Sequence, residues 1–146
     1  MPLAPPVLLT NSFYAFYDLH RPSYHAYAAA RLPREEAQIA VSHLFDLVAS
    51  NWTTIVAEPR PSAWAWERHT RTIAHRSGRT LTAAENTSLL YDDLMLSIDQ
   101  IATMTGTEPA TVTALLAAAR RCAARTPYRR GTGRGCVTGP RVRAPQ

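Results

Sequence analysis

The chain contains no lysine; all sixteen of its basic side chains are arginine. With the abundance of alanine, that bias fits GC-rich coding. Cysteine is nearly absent too. The two that occur, Cys122 and Cys136, stand at no ligand-like spacing, which excludes a zinc motif and a disulfide scaffold. Reduced, incidental thiols are the expectation. No apolar run approaches the roughly 20 residues of a membrane span. Met1 to Thr10 has neither a basic start nor a long apolar stretch, so it does not read as a secretory signal, and the cytoplasm is the default compartment. No Gly-rich phosphate loop or nucleophile elbow is present. The five histidines (20, 25, 43, 69, 75) are scattered, and Asp92-Asp93 is a solvated pair on a helix. The expectation is a protein that is not an enzyme, with no metal and no cofactor.

Acid is missing from one region in particular. From Arg120 to the end the chain carries eight arginines and no carboxylate, while the other eight arginines share the rest with all eleven acids. The net charge of +5 therefore describes a mildly acidic body with a strongly basic tail. Such a tail suits a polyanion, above all nucleic acid.

No segment alternates with a period of two, so strands are not expected. Apolar residues instead recur every three to four positions, which predicts an all-α fold. Met1 to Asn11 is Pro-rich and reads as a flexible arm (1–11). Ser12 then caps a helix from Phe13 to about Leu32, with a kink or break at Pro22. Pro33 opens a helix to about Thr53, with Glu35 and Glu36 in its first turn and Ala37, Ala40, Val41, Leu44, Phe45 and Val48 as its buried stripe. Ser62 caps a helix from Ala63 to about His75, ended by Gly78. Thr82 with Glu85 is a capping box for a helix from Ala83 to about Met95. Ser97 caps Ile98–Thr105, and Thr107 caps a last helix with Pro109 in its first turn. Residues 126–146 carry too little apolar surface to offset ordering and are expected to be disordered.

The most specific pattern lies between Ile98 and Leu116. Two helices that cross sharply need a small residue at the crossing, a left-handed residue in the turn and a branched apolar anchor beyond it. Ala102, Gly106 and Val112 stand at those offsets, with Ile98, Ile101, Leu115 and Leu116 completing a small core. This is a helix-turn-helix pattern, although a structural αα-corner uses the same geometry. On the DNA-binding reading, the last helix presents Thr107, Glu108, Ala110, Thr111, Thr113, Ala114 and Ala117 to a major groove. That face is poor in the residues that read bases best, so phosphate contacts by Arg120, Arg121 and the tail would carry much of the affinity. Arg68, Arg71, Arg76 and Arg79 lie on or after the 63–75 helix and either touch phosphates or form a solvated face. Trp66 is either a platform for unstacked bases or, as the helical spacing favours, part of the core.

The order of these features resembles small bacterial RNA polymerase sigma factors of the extracytoplasmic-function type. Phe13-x-x-Phe16-Tyr17 and Tyr24-x-x-Tyr27-Ala28 look like the family's opening aromatic helix. Arg34-Glu35-Glu36-Ala37 with Val41 and Phe45 looks like its next helix, and Pro61-Ser62-Ala63-Trp64 like the start of its −10 helix. Leu96-Ser97, Gln100-Ile101-Ala102, Gly106, Thr111-Val112 and Ala119-Arg120 look like its −35-reading region. The resemblance spans about residues 12–121.

It implies a region-two-like helical domain (12–78), a region-four-like helix-turn-helix domain (79–124) and a disordered Arg-rich tail (125–146). It further implies contact with core RNA polymerase through Glu36, Ile39, Ser42, His43 and Asp46, binding to double-stranded promoter DNA, and an anti-sigma partner. The chain departs from the family pattern at Ile39 and Ser42, at Glu67-Arg68-His69, and at Thr113, Leu115 and Ala118. The resemblance is therefore to a divergent, sigma-factor-like protein. Two alternatives remain on sequence grounds: a DNA-binding regulator that dimerises through its N-terminal half without polymerase, and an interaction module that titrates a partner.

Overall fold

The computed structural model describes residues 6–125. Most of those residues are helical, with no strand among them. The elements are α1 (Pro6–Arg31), α2 (Arg34–Ser50), a single turn α3 (Trp52–Ile55), α4 (Pro61–Ser77), α5 (Ala83–Ser88) running into a π-turn (Leu89–Asp93), α6 (Ile98–Thr105) and α7 (Pro109–Arg125). No helix among the described residues is long and apolar enough to cross a membrane. The expected disordered tail lies outside the described residues, apart from Arg125, which ends α7.

Helix α1 departs from expectation at its start and its middle. It begins at Pro6, so residues 6–11 of the expected arm are helical, and residues 1–5 lie outside the described residues. Ser12 does not cap. Its hydroxyl donates to the Leu9 carbonyl at 2.9 Å and accepts from Trp52 Nε1 at 2.9 Å, while Leu9 and Phe13 pack on the core edge. Anchoring by Trp52 thus gives the extra turns something to hold. Pro22 sits inside one continuous helix. Its ring is exposed, whereas His20, Tyr24, Tyr27 and Ala28 bury the opposite side. Burial on both flanks offsets the backbone hydrogen bond that proline cannot donate.

Helix α2 ends at Ser50 rather than near Thr53. Asn51 leaves the helical region at φ −118°, and its side chain donates to the Leu47 carbonyl at 2.8 Å. The chain then re-enters one turn that buries Trp52 and Ile55. Helix α4 starts at Pro61 with Arg60 before it, so Ser62 lies inside the helix instead of capping it. Gly78 ends α4 in a left-handed conformation, φ 72°, as expected.

The capping box at Thr82 forms in both directions: the Glu85 amide donates to Thr82 Oγ1 at 3.1 Å, and the Thr82 amide donates to Glu85 Oε1 at 2.8 Å. The helix it opens does not continue as a regular α-helix to Met95. After Ser88 the ladder widens, with the Leu94 amide bonded to the Leu89 carbonyl. Met95 follows at φ 60°, 80% exposed.

A single hydrophobic cluster runs through the described chain, from Phe16, Tyr24 and Tyr27 on α1 to Ile101 and Met104 on α6 and Val112 and Leu116 on α7. Helix α6 touches α1 and α4 as well as α7, and α5 packs on α7. The core is therefore continuous across the junction at residues 78 and 79.

Candidate nucleic-acid interface

Helices α6 and α7 meet at a corner whose turn is set by Gly106, at φ 71° and ψ 32°. Ser97 and Gln100 form a second reciprocal capping box at the start of α6. Ala102 and Val112 are buried where the two helices meet, together with Ile101, Met104 and Leu116. With those residues inward, the remaining side of α7 is open. Glu108, Ala110, Thr111, Thr113, Ala114, Ala117, Arg120 and Arg121 are exposed, and Thr107 is half-buried against the Thr105 hydroxyl, 2.9 Å away.

Two of the three charged side chains already have partners. Arg120 grips Asp92 of the π-turn with both terminal nitrogens, at 3.0 and 3.1 Å. The guanidinium hydrogen bonds hold the Asp92 carboxyl below its ordinary range. Glu108 pairs with Arg60, which also donates to the Gly106 carbonyl at 3.1 Å. The start of α7 is thus tied to the loop before α4. Arg121 has no such partner among the described residues.

On α4, Trp64, Arg68, Arg71 and His75 follow one another along one helix face. Arg68 stacks over the Trp64 ring, 4.9 Å from its centroid, and lies 3.4 Å from Glu67. Arg71 pairs with Glu67 one turn back. Trp66 faces the other way. It is half-buried and packs edge-on against Tyr27, 4.7 Å between centroids, and against Tyr24 and His69. Of the two roles open to Trp66, its position is that of a core residue. Arg76 leans toward His43 of α2, 3.5 Å from Nδ1. Along α2, Ile39, Ser42, His43 and Asp46 are exposed and Glu36 is half-buried, with Leu47 beside them 41% exposed. These five residues share the outward side of the helix, opposite the buried stripe expected from sequence.

No family model, curated protein or solved structure matches this chain. What the site can do therefore rests on its own geometry. No cluster of metal-ligating side chains occurs among the described residues. Cys122, expected as a reduced thiol, is disulfide-bonded.

Sequence reasoning passed over the feature that holds the corner in place. Tyr24, fully buried on α1, donates its hydroxyl to the Met104 carbonyl at 2.7 Å and also lies 3.2 Å from the Ser62 carbonyl. Met104 is in the last turn of α6, where carbonyls lack helical partners. One phenol therefore fastens α1, α4 and α6 at a single point. The Tyr24 ring stacks on His69, centroids 5.2 Å apart, and His69 Nε2 donates to the Tyr24 carbonyl at 2.9 Å. His69 Nδ1 is buried with no partner, which fits a neutral ring protonated on Nε2. Burial lowers the His69 and His20 imidazoles to about 4 and raises the Tyr24 phenol. The only sequence signal was the three-to-four spacing of Tyr24 and Tyr27, which marked them as core without naming their partners.

Tyr24→Phe is expected to destabilise the protein by about 2 kcal/mol, because the Met104 carbonyl is left buried without a donor. Urea denaturation measures this, and an unchanged midpoint would show that the fastening contributes nothing.

Proposed function

We propose that the chain is a sigma-factor-like, helix-turn-helix protein of transcription initiation, which uses α7 on promoter DNA and the outer side of α2 on core RNA polymerase. One observation carries the reading: the corner buries Val112 and Leu116 while the N-terminal face of α7, from Glu108 to Ala117, stays open to solvent. An open helix of this kind fits a B-DNA major groove, which is about 12 Å wide. Its alanines and threonines offer little base reading beyond methyl contacts, so affinity rests on phosphates. Arg121 is available for that, Arg120 only by releasing Asp92, and the arginines after residue 125 add charge. Arg68 and Arg71 on α4 supply further phosphate contacts on releasing Glu67. The open residues of α2, with Ile39 and Leu47 among them, offer the mixed apolar and polar surface of a protein contact. The reading involves no catalysis and no cofactor, and such a protein works in the cytoplasm.

Duplex binding is expected to weaken steeply with salt. Removing residues 126–146, with their five arginines, should flatten the plot of log K against log salt by about 0.9 for each phosphate those arginines neutralise. Fluorescence anisotropy across a salt series checks both, and duplex affinity indifferent to salt would end the DNA reading. Co-purification with core polymerase, weakened by Ile39→Asp, tests the α2 surface.

A second reading, a DNA-binding regulator that acts without polymerase, is favoured by the continuous core. Tyr24 ties α4 and α6 to one point, so the α4 and α7 surfaces meet DNA as a single body. Retention of duplex binding without any polymerase association would select it.

A further inference from the structure

A cavity of ≈ 570 Å³ opens between α1, α4 and the segment leading into α5. Its size falls within the range of small-ligand sites, about 300–1,000 Å³. Its wall is built around Arg31. This half-buried guanidinium donates to Tyr27 Oη at 2.7 Å, to Ser77 Oγ at 3.0 Å and to the Arg79 carbonyl. Tyr27 in turn donates to the buried Asn86 side chain at 2.6 Å, which leaves its oxygen free to accept from Arg31. Every partner of Arg31 is neutral, and no carboxylate pairs with it among the described residues. Arg31 is held in one orientation with no counter-charge among them.

Arg71, His75, Thr70 and Thr80 line the same cavity. Glu67 also lines it, paired with Arg71 and Arg68 on its own helix, so Arg71 turns to an anion by releasing Glu67. A fixed, planar guanidinium with a second arginine and hydroxyls nearby is the chemistry that recognises phosphate oxygens. We propose that this cavity is an anion site that takes a phosphate group, borne by a free nucleotide or by a nucleic-acid backbone. The site does not depend on α7 reaching DNA.

Arg31 also fastens α1 to the end of α4, so its loss alone would not separate a clamp from a binding group. The test therefore reads ligand dependence in the full chain. Inorganic phosphate and 5′-AMP are expected to raise Tm by about 4 °C at ten times Kd, against sodium chloride at matched ionic strength. Arg71→Gln, at an exposed position, should weaken phosphate binding about tenfold, and Arg31→Lys should do the same by losing the fork while keeping the charge. Should Arg31→Lys fail to fold, Arg71→Gln carries the test. The same Tm in phosphate and in chloride would overturn the proposal, as would phosphate affinity unchanged in Arg71→Gln. If 5′-AMP displaces labelled duplex DNA, the phosphate belongs to a nucleic-acid backbone; if it binds alongside DNA, it belongs to a free nucleotide.

Discussion

Gly106→Ala should lower the stability of this protein by about 3 kcal/mol or more, whereas Gly78→Ala should cost only about 1 kcal/mol. Both glycines have positive φ, 71° and 72°, so both substitutions carry the left-handed penalty of an ordinary residue. They differ in what surrounds them. A Cβ on Gly78 meets nothing within 4 Å. A Cβ on Gly106 runs into the backbone of Ala63, falling 2.6 Å from its Cα and closer still to its amide nitrogen. That backbone is the first turn of α4 and cannot swing aside as a flexible side chain would. Either α4 shifts or the α6–α7 corner opens. Because the proposed DNA contact depends on that corner, Gly106→Ala should also weaken duplex binding in whatever fraction remains folded. Thermal melts and urea titrations of the two variants side by side give the comparison, and equal losses would refute the close-packing argument.

Acid should destabilise the fold through a window set by His69 and His20. In the unfolded chain these imidazoles titrate near 6.5; in the folded chain burial holds them at about 4. Above pH 6.5 both states hold the rings neutral and no penalty exists. As pH falls from 6.5 towards 4, the unfolded state takes up protons that the folded state refuses, and stability declines. Below about 4 the folded rings protonate as well, and the loss levels off. For His69 the difference corresponds to about 3 kcal/mol, a large share of a typical domain's stability. The Asp92–Arg120 pair acts in another window: its lowered carboxyl keeps its contribution until pH falls below the usual carboxylate range, and that contribution is small because the pair is exposed. The expected result is a urea midpoint that drops steeply between pH 6.5 and 4.5, with His69→Gln flattening the profile. A midpoint constant over that interval would show that His69 is not held neutral by burial.

The parts of the architecture that were legible beforehand depend on near neighbours. The reciprocal bonds of Thr82 and Glu85, the left-handed stops at Gly78 and Gly106, and the buried stripe of α2 all follow from residues within one or two turns of each other. The misjudged boundaries share a different origin. Ser12 was chemically fit to cap, but Trp52, forty positions away, claimed its hydroxyl. Pro22 should interrupt a lone helix, but α1 is not alone: packing on α2, α4 and α6 holds it through that position. The π-turn after Ser88 is likewise invisible to periodicity, since Leu89 and Leu90 suit either ladder and α7 packs against the preceding α5.

The candidate surfaces divide in the same way. Which residues of α7 and α2 point outward was readable, because helical period decides it once the buried stripe is known. Whether the outward charges are free was not. Arg120 and Asp92 are 28 positions apart, and Arg60 and Glu108 are 48 apart. Nothing in the pattern of either segment announces the other.

Sequence alone therefore determined the helical class, the capping boxes at Thr82 and Ser97 and the turn at Gly106, because backbone sterics and hydrogen bonding act over a few bonds. Tertiary structure alone decided that Tyr24 would join α1, α4 and α6, that His69 would be sealed against protons, and that Arg31 would stand without a counter-charge among the described residues. Those outcomes depend on which surfaces exclude water together, and that is settled only when distant helices pack.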